Sequence, residues 1–255
     1  MIIKRMGNKS KIASDIYKHF PKHKIYIELF FGAGGMFFNK PKATYNYLND
    51  IDNNIITVFD CIEKKQNELI DYIIKMPLHK EFIERIKKQK NETDIVKKTA
   101  NFLYLSNFTL YSKGNTLKIE STNAKEILIE NIKKYQKEIS NVLFSNTDFR
   151  NVLQMYSFKK DEKKQAFIYA DPPYLDTDYR LSYGWTKKSF IDLLDYLQEQ
   201  NIKYAISEFN NEFVISECNK RNLNLIEIGT RVNIKNRKTE ILITNYPIIN
   251  KLFDN

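Results

Sequence analysis

A chain of 255 residues with 42% hydrophobic content has the length and apolar mass for one large or two small globular domains, which excludes a disordered or fibrous protein. Forty-one Lys and Arg against 31 Asp and Glu leave a formal net charge of +10, a balance that favours a polyanionic partner. No apolar run has signal-peptide or membrane-spanning length, and Cys61, Cys218, His19, His23 and His79 form no disulfide-framework or ligand spacing, so a cytoplasmic protein without membrane or metal site is expected.

In chain order, Gly7 and Asn8 suit a tight turn before an amphipathic helix over roughly residues 10–20. Lys9 sits close to that helix start, where a cation gains nothing from the helix dipole. It reads either as a ligand for an anionic group or as a solvated surface lysine. A strand over Ile25–Leu29 then runs into Phe30-Phe31-Gly32-Ala33-Gly34-Gly35, a glycine cluster expected to open a helix and to let backbone approach a ligand at the carboxyl end of a sheet. Glu28 is an acid at the end of an apolar strand and needs a partner there. A second strand ends at Asn49, and Asp50 follows it where ribose hydroxyls are held in such folds, with Asp52 as the near alternative.

Strand-like runs vanish over 61–140. Apolar residues recur there at three and four, as in Phe82, Ile83 and Ile86, which predicts a helical insertion dividing a domain made of 1–60 and 141–255. Within it, the stretch from Asn101 to Lys118 interleaves aromatics with polar groups. Asn107, Tyr111, Lys113, Asn115 and Lys118 are candidates to touch base edges and phosphates, and a core of aromatics with polar loop tips is the simpler alternative. The chain returns to the sheet at Val142–Ser145, followed by Asp148 and Phe149; Asp148 also fits a helix N-cap.

The run Ala166-Phe167-Ile168-Tyr169-Ala170 reads as a buried parallel strand, and Asp171-Pro172-Pro173-Tyr174 ends it, since the prolines cannot continue a ladder. The stiff turn offers a carboxylate and carbonyl oxygens as acceptors. An exocyclic amine on a nucleobase has its lone pair delocalised into the ring. If Asp171 and the Pro172 carbonyl each accept one N–H, that lone pair is aimed at an electrophile and the developing positive charge is stabilised. Tyr174 supplies a face for a base drawn out of a duplex. Further on, the polar and aromatic stretch from Leu175 to Trp185 suits a closing loop, including Asp176, Asp178, Tyr179, Arg180 and Tyr183. Thr186 or Ser189 starts a helix, Tyr204–Ser207 is a strand, and residues 223–230 and 240–246 form an antiparallel pair. Arg231, Lys235, Arg237 and Lys238 lie in the basic loop between them, either solvated or against phosphate.

These residues resemble the class α (Dam-like, D12 class) N6-adenine DNA methyltransferases that use S-adenosylmethionine (AdoMet). The resemblance rests on the Asp-Pro-Pro-Tyr tetrad, the acid and Gly-x-Gly after the first strand, and an insertion between these two motifs. It implies a Rossmann-like α/β fold with a mixed sheet and a helical target-recognition domain. It also implies cofactor contacts from Lys9, Glu28, Gly32, Gly34, Asp50, Asp148, Phe149 and Asp171, and from Arg5, which stands where the family usually has an aromatic. Asp171, Pro172 and Tyr174 would be catalytic. Duplex DNA is the implied substrate, reached by base flipping, with Arg231 and Arg237 among its contacts and a restriction endonuclease as a companion such enzymes can have. Cytosine-N4 methylation, or a catalytically idle basic DNA-binding protein, are the alternatives.

Overall fold

The apolar runs pair into one seven-stranded sheet among the described residues. Its strands are β1 (Ile25–Glu28), β2 (Tyr45–Asn49), β3 (Val142–Ser145), β4 (Ala166–Ala170), β5 (Lys203–Phe209), β6 (Asn224–Val232) and β7 (Arg237–Thr244), in the order β3-β2-β1-β4-β5-β7-β6. The helices are α1 (Ala13–Tyr17), α2 (Asn53–Lys75), α3 (Lys80–Lys88), α4 (Ile95–Phe108), α5 (Ala124–Ile139), α6 (Lys187–Glu199) and α7 (Glu212–Lys220). The computed structural model describes all residues except 6, 90, 119–122, 160, 176–183, 233–236 and 248–255, and of 230–232 and 237 only the backbone.

β1 is parallel to β2 and β4, and β4 to β5, whereas β7 runs antiparallel to both β5 and β6. The expected mixed sheet is thus present. β4 is buried at every residue, which is why it reads as an unbroken apolar run. On one face Ile27, Ile168, Tyr204 and Ile206 pack with Phe190, Leu193 and Leu197 of α6 and Val214 of α7. Each such side chain withdrawn from water contributes about 1.5–3 kcal/mol. On the other face Phe20 meets Phe167 and Tyr169, with ring centroids 4.5 and 5.3 Å apart.

Two expected helices are shorter than a full helix. α1 covers only Ala13–Tyr17, because Ile12 at its N-cap offers no side-chain acceptor and Pro21 closes the following turn. After the glycines there is a single 3-10 turn, Phe37–Asn39, since Pro41 disfavours helical geometry at Lys40. At the start of α6 the two candidate residues act together: Thr186 is the N-cap and Ser189 completes a capping box.

The chain falls into two compact units. One is Met1–Lys9, Gly32–Phe38 and Asp52–Val142; the other is Ser10–Phe31, Asn39–Ile51 and Leu143–Asn255. The expected boundary at residue 61 falls inside α2, which Asp52 caps by accepting from the Asn54 N–H at 3.1 Å. The first residues, expected with the sheet, are held in the helical unit. Ile2 and Ile3 are buried, Ser106 exchanges hydrogen bonds with the backbone of Lys4 at 2.8 and 2.9 Å, and Asn107 Nδ2 donates to Ile2 O at 2.7 Å. Phe38 stacks on Tyr135 of α5 at 4.0 Å and on Phe59 of α2 at 5.9 Å, so the post-glycine segment also belongs to this unit.

Candidate active site

In the sheet unit, β1 continues to β2 on one side and pairs with β4 on the other. Strand order therefore reverses between β1 and β4, and the carboxyl ends there are where open α/β sheets bind ligands. Glu28 is in register with Tyr169, and the Leu29 N–H donates to Tyr169 O at 3.0 Å. Asp171 thus leaves the sheet beside the acid that ends β1.

Glu28 is 2% exposed and accepts a hydrogen bond from Tyr26 Oη at 2.8 Å; Lys40 Nζ lies 3.6 Å over the Tyr26 ring. Burial pushes the Glu28 carboxyl up to about 8 against the opposing pull of the Tyr26 hydroxyl and the Lys40 charge, and the negative charge of Asp171 adds to the rise. Burial likewise lowers Lys40 to about 8. The folded Glu28 keeps a proton that the unfolded chain releases above its ordinary value of 4.5. Its stabilising contribution is therefore complete below that value and is lost as pH rises towards 8. Glu28→Gln should flatten this decline, seen as a smaller loss of denaturant midpoint between about pH 5.5 and 8 than in the native chain. An equally steep decline in the variant would count against it.

The turn after β4 is held by acids from neighbouring strands. Pro172 is buried, and Asp171, Pro173 and Tyr174 are half-buried. Tyr174 Oη donates to Glu240 Oε1 at 2.8 Å, and its ring meets Phe209 edge to face at 4.5 Å and 76°. The Leu175 N–H reaches Glu208 Oε2 at 3.4 Å, while Glu208 Oε1 accepts from the Phe209 N–H at 2.8 Å. Burial, with the charges of Asp171 and Glu240, holds the Tyr174 hydroxyl well above its ordinary value, so it stays a donor. Sequence reasoning missed Glu208, Phe209 and Glu240 as neighbours of the tetrad. The available signal was an acid at an inward position of an apolar strand, Glu240 before Ile241-Leu242-Ile243.

Asn49, also missed, ties three strand ends together. Its Nδ2 donates to Leu29 O and Thr147 O, both at 3.0 Å, and its Oδ1 accepts from Ser145 Oγ at 2.8 Å. Asp50 follows directly, 7% exposed, with its carbonyl accepting from Asn146 Nδ2 at 2.7 Å. Asp148 shows the capping geometry that was one reading of it: it accepts from the Arg150 N–H at 3.0 Å and binds Arg150 Nε and Nη2, each at 2.8 Å. The Arg150 guanidinium holds its carboxyl below the usual range. Phe149 is buried among Phe30, Tyr196 and Trp185, at 5.6, 5.7 and 6.0 Å.

In the helical unit, Gly34 has φ +75, and a Cβ on Gly35 would lie 2.6 Å from Asn8 Oδ1 and 2.7 Å from Lys9 N. The glycine cluster therefore lies against the Asn8–Lys9 turn, and Lys9 is 3% exposed, not a solvated surface lysine. Arg5 pairs with Asp52 at 3.7 Å, and Asp52 also caps α2.

The expected DNA-facing residues separate. Asn107 is buried, donating to Ile2 O and to Leu103 O, because the amide is used to hold the N-terminal segment. Tyr111, Lys113, Asn115 and Lys118 are exposed on a hairpin closed by the Thr109–Leu117 bridge, with Lys87 Nζ donating to Asn115 Oδ1 at 3.2 Å. Tyr111 and Ser112 have φ +54 and +57. Arg231 and Arg237 belong to β6 and β7, in register with Lys238 and Val232, so the loop between these strands is shorter than expected; their side chains lie outside the described residues. Lys235, Asp176, Asp178, Tyr179, Arg180 and Tyr183 also lie outside them.

Among the described residues no helix is long and apolar enough to cross a membrane. Of known proteins, the Type II methyltransferase M.MjaIII of Methanocaldococcus jannaschii is 26% identical over 96% of this chain and 98% of its own length. A DNA adenine methylase of Vibrio cholerae serotype O1 is 25% identical over 68% of this chain, which spans 64% of that protein. Among structures, the N-terminal domain of human METTL16 in complex with SAH aligns with 93% of this chain at 8% identity and a TM-score of 0.41. The sequence family that matches spans residues 6–243, from the turn before Lys9 through the tetrad to the last strand. Its reaction takes AdoMet as methyl donor and adenine N6 as acceptor, in preference to cytosine N4. The chain belongs to the D12 class of N6 adenine-specific DNA methyltransferases.

Proposed function

We propose that the turn Asp171–Tyr174 is the place where this enzyme holds its adenine, drawn out of duplex DNA. The observation that carries the reading is the pairing of β1 with β4, which sets Asp171 beside Glu28 at the switch point. Asp171 and the Pro172 carbonyl accept the two N6 hydrogens, so the nitrogen lone pair points away from them, and the half-buried Tyr174 ring carries the flat base. Bound AdoMet supplies an electrophilic methyl on a sulfonium. The carboxylates of Asp50 and Asp171 suit a ligand with cationic sulfonium and ammonium groups, and Glu28 stands beside Asp171 as a buried, neutral acid whose cofactor role rests on motif order. Asp50 is assigned to the ribose, Asp148 and Phe149 to the adenine ring of the cofactor, and Arg5, Lys9, Gly32 and Gly34 keep cofactor roles on the strength of motif order.

A duplex with 2-aminopurine in place of the target adenine tests the extrusion. Fluorescence should rise several-fold on binding as the base leaves its stack, and an unchanged signal under saturating enzyme would remove this part of the reading.

The hairpin after α4 is the segment we assign to DNA. Tyr111 is 60% exposed in left-handed backbone, a conformation that costs an aromatic residue about 1–3 kcal/mol and is retained where surrounding structure imposes it. Ser112 Oγ donates to Ser106 O at 2.7 Å, and Thr109 Oγ1 accepts from the Gly114 N–H at 2.8 Å, so the loop is imposed from α4. Tyr111→Ala should weaken duplex binding by about 1–3 kcal/mol, roughly tenfold or more, and leave AdoMet affinity unchanged. Gel-shift titration and calorimetry together check this, and an unaltered duplex affinity would take the hairpin out of the interface. The helical unit is on this reading the target-recognition part of a cytoplasmic enzyme that a restriction endonuclease can accompany.

A further inference from the structure

The mechanism above uses Tyr174 as a stacking face but leaves unused two fully buried acids that touch its turn. Glu208 and Glu240 are each 0% exposed, on adjacent strands β5 and β7. Placing a carboxylate there costs several kcal/mol unless it is hydrogen-bonded, so an apolar side chain would serve the core better if packing were the only demand. What the acids touch is the exit of the tetrad. Glu240 Oε1 accepts from Tyr174 Oη at 2.8 Å, and Glu208 accepts from the backbone of Leu175 and of Phe209. Phe209 is in register with Glu240 and meets the Tyr174 ring edge on. The phenol is therefore held at two points: the hydrogen bond fixes its oxygen and with it the long axis of the ring, and Phe209 against the ring limits its turning about the Cβ–Cγ bond.

We propose that Glu240 is a positioning residue for methyl transfer: it fixes the long axis of the Tyr174 ring while Phe209 limits the ring's plane, and the two together set the plane of the adenine. A base tilted against Asp171 loses alignment of its N6 lone pair with the methyl carbon, and misplacement of about 1 Å costs on the order of a hundredfold in rate. The proposal rests on the reading of Tyr174 as the stacking face, and the test separates the two.

Five variants, each with AdoMet calorimetry, thermal unfolding and single-turnover methylation of a duplex, decide it. Glu240→Gln keeps an acceptor for the Tyr174 hydroxyl and should retain the rate within about threefold. Glu240→Ala and Tyr174→Phe should each lose about 10- to 100-fold in rate with AdoMet affinity unchanged, and the double variant should lose no more than the worse single one. Additive losses, or a Tyr174→Phe enzyme at the native rate, would overturn the positioning role while leaving stacking intact. Tyr174→Ala is the control for the underlying reading: if it methylates at the native rate, stacking on Tyr174 itself is rejected. Should Glu240→Ala not fold, Glu240→Gln and Tyr174→Phe still decide, since the proposal requires the first to be active and the second impaired.

Discussion

Replacing Asp171 with alanine is expected to lower methyl transfer by about a thousandfold or more while AdoMet and duplex binding change only a few-fold. The size of the effect follows from what the carboxylate faces. N6 of adenine begins the reaction with its lone pair committed to the ring and becomes cationic as its bond to carbon forms. An anion already in place, attached to a turn that two prolines stiffen and two buried acids anchor, needs no reorganisation at that moment. Removing one such preorganised partner costs about 10²–10³ in turnover elsewhere, and here the lost partner is a full charge and an N–H acceptor together. Asp171→Asn, which keeps one acceptor oxygen, should be intermediate. Incorporation of labelled methyl into duplex DNA measures both, and a fully active alanine variant would end the assignment. Because the Asp171 charge is one of the forces that raise Glu28, the same substitution should also bring the Glu28 titration down from about 8.

Gly35→Ala is expected to lower AdoMet affinity at least about tenfold and to destabilise the helical unit by about 1–3 kcal/mol. An added Cβ would lie 2.7 Å from the backbone nitrogen of Lys9 and 2.6 Å from Asn8 Oδ1. The nitrogen is main chain and cannot rotate out of the way, so either the Asn8–Lys9 turn or the glycine cluster must move, and both carry residues assigned to the cofactor. Gly32→Ala is the comparison. Nothing lies within 4 Å of its Cβ, but φ is +54, so the cost there is the left-handed backbone alone, about 1 kcal/mol. Calorimetry with AdoMet should therefore rank Gly35→Ala below Gly32→Ala, and the reverse order would show that the close approach to Lys9 does not matter for the cofactor.

Several features of the protein were legible in its residues before any coordinates. β4 and its end are local facts: five apolar residues without charge make a buried strand, and two prolines stop it wherever it is placed. The same holds for Thr186 and Ser189, whose capping box needs only a helix after it, and for the period of three and four that runs through α3. Glu28 could be recognised as an acid in need of a partner, since the cost of burying a carboxylate depends on its strand and not on the neighbour that relieves it.

What relieves it, Tyr26 and Lys40, is a tertiary matter, and so are the other long-range choices. The helix expected to open after the glycines was cut to a single turn by Pro41, and the helical insertion took up the first nine residues because Ser106 and Asn107 on α4 hold their backbone. Asn107 had the right chemistry for a base edge and is spent inside. Glu208 and Glu240, 37 and 69 positions after Asp171 along the chain, reach its turn only because β5 and β7 are neighbours in the sheet. Hydrophobic periodicity and turn chemistry act over a few residues and can be read in order along the chain. A buried polar group is satisfied by whichever donor the completed sheet brings to it, and that partner has no fixed distance in sequence.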